Sequence, residues 1–143
     1  MNLCHGSVVP VGVNKDTARD PNISQALSRG GVIDITTAGR KTGRPRRIEI
    51  VYHNLGGRIY ISGMPSPRKR QWLANLEADP NFIVHLKRGV SADLPATARV
   101  ITDEAERREL MPQIARIWKR NDAELMVAQS PLIEVSLEGG DAA

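Results

Sequence analysis

Gly39, Arg40, Lys41, Thr42, Gly43, Arg44, Pro45, Arg46 and Arg47 run consecutively, with a cation at five of the nine positions. Glycine admits positive φ and lets backbone N–H groups come close to a ligand, and threonine offers a hydroxyl. Lysine and arginine donate charge-assisted hydrogen bonds, and Pro45 pre-sets the backbone beside them. These are the parts of a phosphate cradle. The plainer reading is a solvated basic hairpin loop, since charge runs are usually solvent-facing. A Walker loop is excluded, because its spacing and following helix are absent.

Arg68, Lys69 and Arg70 form a second basic group. The formal net charge is only +4, so the clustering matters more than the total. Local positive potential at two groups implies an anionic partner. Candidates for moving protons are Tyr52, His53, Tyr60 and His85. A surface position is the commoner role for His53, next to a turn, and an exposed or hydrogen-bonded one for His85 in a strand. The tyrosines suit a wall or core. Cys4 is the single cysteine, which excludes an intrachain disulfide and cysteine-cluster metal sites.

The elements that must position these residues follow from periodicity. Val32 to Thr37 is rich in β-branched residues, Arg47 to His53 alternates imperfectly, and Arg58 to Ser62 alternates again after Asn54-Leu55-Gly56-Gly57. The last two make a hairpin. Ser66 as N-cap and Pro67 at the first helical position open a short helix through Trp72, Leu73 and Leu76 that ends at Asp79-Pro80. Phe82 to Leu86 and Ala96 to Ile101 are the next strands, with Lys87 to Pro95 connecting them. Asp103 to Glu106 resembles a capping box, and an apolar stripe makes 103–120 helical, kinked or divided at Pro112. Leu132 to Leu137 is the last strand. This order, without βαβ periodicity, fits a small antiparallel β-barrel with helices over its openings, mainly β within the α+β class.

At 143 residues, 41% hydrophobic and 25% charged, the chain has the size and composition of one globular domain. We expect an N-terminal arm over 1–20, one domain over 21–138 and a tail over 139–143. No apolar run approaches the roughly 18 residues of a membrane span, no secretory signal is visible, and a lone cysteine fits a reducing cytoplasm. Two Trp, two Tyr and one Phe leave little for base stacking, and no nucleic-acid-binding motif is present, so nucleic acid is not the expected partner.

Two strings, Thr36-Thr37-Ala38-Gly39-Arg40-Lys41-Thr42-Gly43-Arg44-Pro45-Arg46 and Trp72-Leu73-Ala74-Asn75-Leu76-Glu77-Ala78-Asp79-Pro80, with a strand pair between them, resemble the deazaflavin-dependent nitroreductase family. That family lies in the FMN-binding split β-barrel superfamily, and the resemblance runs from about Val32 to Leu137. It implies that Arg40, Lys41, Thr42, Gly43, Arg44, Pro45 and Arg46 bind the phosphate of coenzyme F-420, a deazaflavin. It also implies that Ser62, Gly63 and Met64 approach the ring, and that Arg68 and Lys69 meet phosphate or the tail carboxylates. Trp72 lies beside the ring or, more commonly for its spacing, in the core, and Asn75 caps or braces the loop. The implied activity is hydride transfer to a small electron-poor acceptor such as a quinone, an enone or a nitro compound, by a protein that can pair as a homodimer. FMN on the same fold is the alternative cofactor, and a non-enzymatic lipid or tetrapyrrole carrier is the alternative function. Two positions depart from the family pattern. Ile48-Glu49 stands where many members have proline, so that an inward Glu49 would oppose an anion or pair with Arg47 or Arg58. Lys119 to Leu125 contains none of the tyrosines that line the better-known members' substrate wall.

Overall fold

The computed structural model describes residues 21–137; the expected arm, Cys4 and the expected tail lie outside the described residues. The order is α1 (Pro21–Arg29), β1 (Gly31–Ala38), β2 (Pro45–Leu55), β3 (Arg58–Ser62), α2 (Gln71–Ala78), β4 (Asn81–Leu86), β5 (Ala92–Val100), α3 (Glu104–Ile117), α4 (Ala123–Gln129) and β6 (Leu132–Leu137). The strands form a closed barrel in the order β1-β2-β3-β6-β5-β4, which shuts where β4 pairs with β1. Every pairing is antiparallel.

Strand alternation divides the molecule into two cores. Ile33, Ile35, Ile61, Val84, Leu94 and Ile133 face inward and pack with Trp72, Leu73 and Leu76 of α2 and Ile23 and Ala26 of α1. The opposite faces of β3 and β6 offer Tyr60 and Leu132, which pack under Leu110, Met111 and Ile114 of α3 and Met126 and Val127 of α4. One helix pair thus serves the interior, while the other covers one wall from outside.

Four expectations need correction. The helix expected from Ser66 begins at Gln71, with Arg70 as N-cap. Ser66 Oγ instead accepts the Arg68 backbone N–H at 3.1 Å, a local turn that competes with helix. Residues 92–95, read as connection, belong to β5, Pro95 included. Their pairing partner among the described strands is β4, because β6 joins only at Ala96, so a missing N–H is tolerated on that free side. Pro112 does not divide α3, where Met111 and Ile114 beside it are fully buried and offset its lost backbone bond. The break comes at residues 118–122, where Lys119 takes φ 57°, and α4 follows. Helices α1 and α4 were not anticipated.

Candidate functional site

Strands β1 and β2 pair without interruption up to Ala38 and Pro45, which leaves residues 39–44 as a tight connecting loop. The Gly39 N–H donates to Arg44 O at 2.8 Å, and the Gly43 N–H to Gly39 O at 2.7 Å. Gly43 needs its φ of 75°, and a Cβ on Gly39 would stand 3.2 Å from both Arg44 O and Thr42 Oγ1. Thr42 Oγ1 accepts from the Arg44 N–H at 3.1 Å, which leaves its own hydrogen for another partner. The loop therefore uses the N–H groups of Gly39, Gly43 and Arg44 to hold its own shape. Those of Lys41 and Thr42 make no hydrogen bond among the described residues.

A buried side chain of α2 braces this loop. Asn75, 5% exposed, donates from Nδ2 to Thr37 Oγ1 at 3.1 Å and accepts the Arg40 N–H on Oδ1 at 3.1 Å. One turn earlier, Gln71 Oε1 accepts from Arg40 Nη1 at 2.5 Å. The bracing role expected of Asn75 is thus present.

Ion pairing sorts the cations into two populations. Arg47 binds Asp34 at 2.9 Å, and Lys87 spans the cross-strand carboxylates Asp34 and Glu49 at 2.7 Å each. Hydrogen bonds from Lys87 and then Arg47 hold the Asp34 carboxyl below its ordinary range. Glu49 consequently points outward, and its partner is neither Arg47 nor Arg58. Arg40, Lys41, Arg44, Arg46, Arg68 and Arg70, in contrast, make no ion pair among the described residues. Arg40 to Arg46, with Thr42, Gly43 and Pro45, are solvent-exposed.

The second segment is more varied. Ser62 is buried and donates to Pro131 O at 2.6 Å, so its hydroxyl is occupied. Gly63 follows, where a Cβ would lie 3.2 Å from Pro131 Cγ and 3.3 Å from Arg70 Cζ. Met64 is 44% exposed, with Arg120 Nη1 3.0 Å from its sulfur. Arg68 is exposed, while Lys69 is bound to Glu77 at 2.7 Å. Trp72 packs in the barrel core, the commoner role for its spacing. The start of α2 joins the two basic regions: Arg70 abuts Gly63, and the next residue holds Arg40.

None of the four proton-moving candidates stands ready as an acid. His53 is 3% exposed, not at the surface as expected, and packs against Trp118 with ring centroids 5.2 Å apart. Its Nε2 has no hydrogen-bond partner among the described residues, and burial pushes its pKa down to about 4. His85 is hydrogen-bonded, as one of its two expected states, and also buried: Nδ1 meets Asp93 Oδ1 and Nε2 meets Thr36 Oγ1, each at 2.7 Å. Tyr52 donates to Ala26 O at 2.5 Å, and burial raises the pKa of both Tyr52 and Tyr60. Gln71 and Arg70 are the residues at the site that motif reading passed over. Arg70 carried a signal in its basic triplet, whereas Gln71 carried none.

Comparison with solved structures shows the split β-barrel fold. An F420-H2 dependent reductase is 22% identical over 74% of this chain and 94% of its own, with a TM-score of 0.55. A FAD-binding protein from Mesorhizobium loti is 16% identical over 80% and 86%, with a TM-score of 0.54. A protein described as a domain-swapped dimer is 19% identical over 79% and 92%, with a TM-score of 0.56. The family model described as F420H(2)-dependent quinone reductase matches residues 13–136. A match over that span, on a fold that the solved relatives share, means that this chain belongs to the F420H(2)-dependent quinone reductase family.

Proposed function

We propose that this protein is a deazaflavin-dependent reductase that passes a hydride from reduced coenzyme F-420 to a quinone. The observation that carries the reading is the braced loop with its unpaired cations. Like charges crowded without carboxylates destabilise a free protein, and an anion relieves them. The residues present fit the phosphate end of such a cofactor. Lys41, Arg40, Arg44 and Arg46 would hold it with side-chain charge, and Lys41 and Thr42 with backbone N–H groups, to which Thr42 adds a hydroxyl. Gly63 and Met64 would lie beside the ring, with Arg68 towards phosphate or tail carboxylates. Lys69 would reach the same groups only by leaving Glu77.

When bound, a reduced deazaflavin supplies hydride from its ring carbon. The protein's part is to bind, orient and exclude water. In this reading Tyr52, Tyr60, His53 and His85 support the walls and move no proton. No helix among the described residues is long and apolar enough to cross a membrane. We place the reaction in the cytoplasm, where the lone Cys4 needs no oxidising partner, and the domain-swapped neighbour supports pairing as a homodimer.

Oxidation of reduced coenzyme F-420 by a soluble benzoquinone, followed by the return of deazaflavin absorbance, tests the reading. We expect catalysed turnover by the wild type, with Lys41→Ala raising the KM for the cofactor at least tenfold. No turnover with F-420 and turnover with reduced FMN would transfer the reading to the flavin. Tight binding of a fatty acid or haem, with no oxidation of either reduced cofactor, would replace it with a carrier.

A further inference from the structure

We propose that Arg70 is the cation of the ring-facing segment: its guanidinium lies where a side chain on Gly63 would stand, and there it stabilises anionic charge on the bound ring. This inference rests on the deazaflavin reading and assigns a residue to the ring end, which the phosphate loop does not supply.

A Cβ on Gly63 would come within 3.3 Å of Arg70 Cζ, tighter than ordinary contact, and 3.5 Å of its Nε, in ordinary contact. Gly63 therefore provides the gap that admits the guanidinium against the strand end. Pro131 Cγ, 3.2 Å from the same point, closes the other side. The surrounding backbone is pinned, since Ser62 Oγ donates to Pro131 O and the Ser66 N–H to Gln129 O at 3.1 Å. Arg70 itself is extended, and its carbonyl accepts the Ala74 N–H at 3.1 Å.

Charge accounting then separates Arg70 from its neighbours. Lys69 is committed to Glu77, Arg120 is committed to Asp122, and Arg68 is exposed. Arg70 is half-buried, its donors keep some access to solvent, and its guanidinium makes no hydrogen bond or ion pair among the described residues. A guanidinium without a protein acceptor is free to take an anionic ligand atom, and it would exchange water for that atom without breaking an ion pair. The planar fork of arginine suits the coplanar oxygen and nitrogen atoms of a pyrimidine ring edge, which carries negative charge readily when the ring is reduced. Arg40, held by Gln71 and Asn75, is tied to the phosphate loop instead.

The test separates ring from phosphate with two probes: coenzyme F-420 and the same deazaflavin ring lacking phosphate and tail, both measured by fluorescence titration in oxidised and reduced forms. For Arg70→Met we expect about tenfold weaker binding of the reduced form of both probes, with a smaller loss for the oxidised form. Arg70→Lys recovers part of it, and thermal melts confirm folding. Gly63→Ala, which displaces the guanidinium, gives a loss in the same direction. Lys41→Ala weakens the phosphate-bearing probe alone. A loss in Arg70→Met confined to the phosphate-bearing probe, or equal for the oxidised and reduced forms, overturns the assignment while leaving the deazaflavin reading intact. A wild type that binds neither probe overturns both.

Discussion

Asn75 ties the Arg40 backbone to Thr37: its Oδ1 accepts the Arg40 N–H and its Nδ2 donates to the Thr37 hydroxyl, each at 3.1 Å. A single buried amide thus transmits the position of α2 to the basic loop. Asn75→Ala leaves both groups without a partner and should cost about 1–3 kcal/mol of stability. Asn75→Asp keeps the acceptor for Arg40 and can accept from Thr37, so most of the stability should remain, while its negative charge beside the loop weakens anion binding. Urea melts combined with cofactor titrations check the pair. Equal affinity in wild type and Asn75→Asp would show that the brace does not govern the loop.

His53 predicts a pH dependence. Burial holds it neutral in the folded protein down to pH about 4, whereas in the unfolded chain it titrates near its ordinary value of 6.5. Between those values the unfolded chain binds the extra proton, so stability falls as the pH drops, by about 1.4 kcal/mol per unit. His53→Phe keeps an aromatic ring against Trp118 and should flatten this limb. Asp34, whose carboxyl is held low by Lys87 and Arg47, loses its contribution only below the ordinary carboxylate range, which separates the two windows. Denaturant melts of both proteins from pH 7 to 4.5 should diverge below about 6.5, and parallel curves would refute this account of His53.

Arg107 is a half-buried cation that serves backbone. Its guanidinium donates to Val127 O at 2.7 Å, Ile101 O at 2.9 Å and Met126 O at 3.2 Å, and also to Ser130 O. Desolvation lowers its pKa, and its neighbours there are carbonyl oxygens. Arg107→Met strands those acceptors at the end of α4 and should cost about 3 kcal/mol. Because Gln129 O holds the Ser66 N–H, the loss should extend to the ring-facing segment. Amide hydrogen exchange should quicken over residues 123–130 and at Ser66. Unchanged exchange at Ser66 would localise the effect to α4.

Unpaired cations also predict a response to simple anions. Inorganic phosphate at ten times its Kd should stabilise the protein by about 1.4 kcal/mol, beyond chloride at equal ionic strength. Lys41→Ala should reduce that increment. Differential scanning calorimetry in the two salts measures it, and equal shifts would mean screening without a site.

Much of this architecture was legible in local pattern. The spans Arg58–Ser62 and Leu132–Leu137 were readable to the residue, because alternation there meets turn residues at both ends. Reading failed where tertiary context overrides local preference. Pro95 marks a loop by chemistry, yet it lies in a strand where only one side is paired at that point. Pro112 marks a helix break, yet α3 runs on past it with fully buried neighbours. His53 looked like a turn-side surface residue because nothing in its neighbourhood announces Trp118, 65 positions away, as its cover. At the site, the cation run was readable from residue types, and the Asn75 brace from the family resemblance. Which cations are free was not, because pairing such as Lys87 with Glu49 is decided by register between distant strands.

The central claim is that the loop from Gly39 to Arg46 holds the phosphate end of a deazaflavin cofactor. Titration of wild type and Lys41→Ala with oxidised and reduced coenzyme F-420 tests it most directly. We predict saturable binding by the wild type and at least tenfold weaker binding by Lys41→Ala, with both proteins equally folded. Absence of binding by the wild type, or equal affinity in the two proteins, would contradict it.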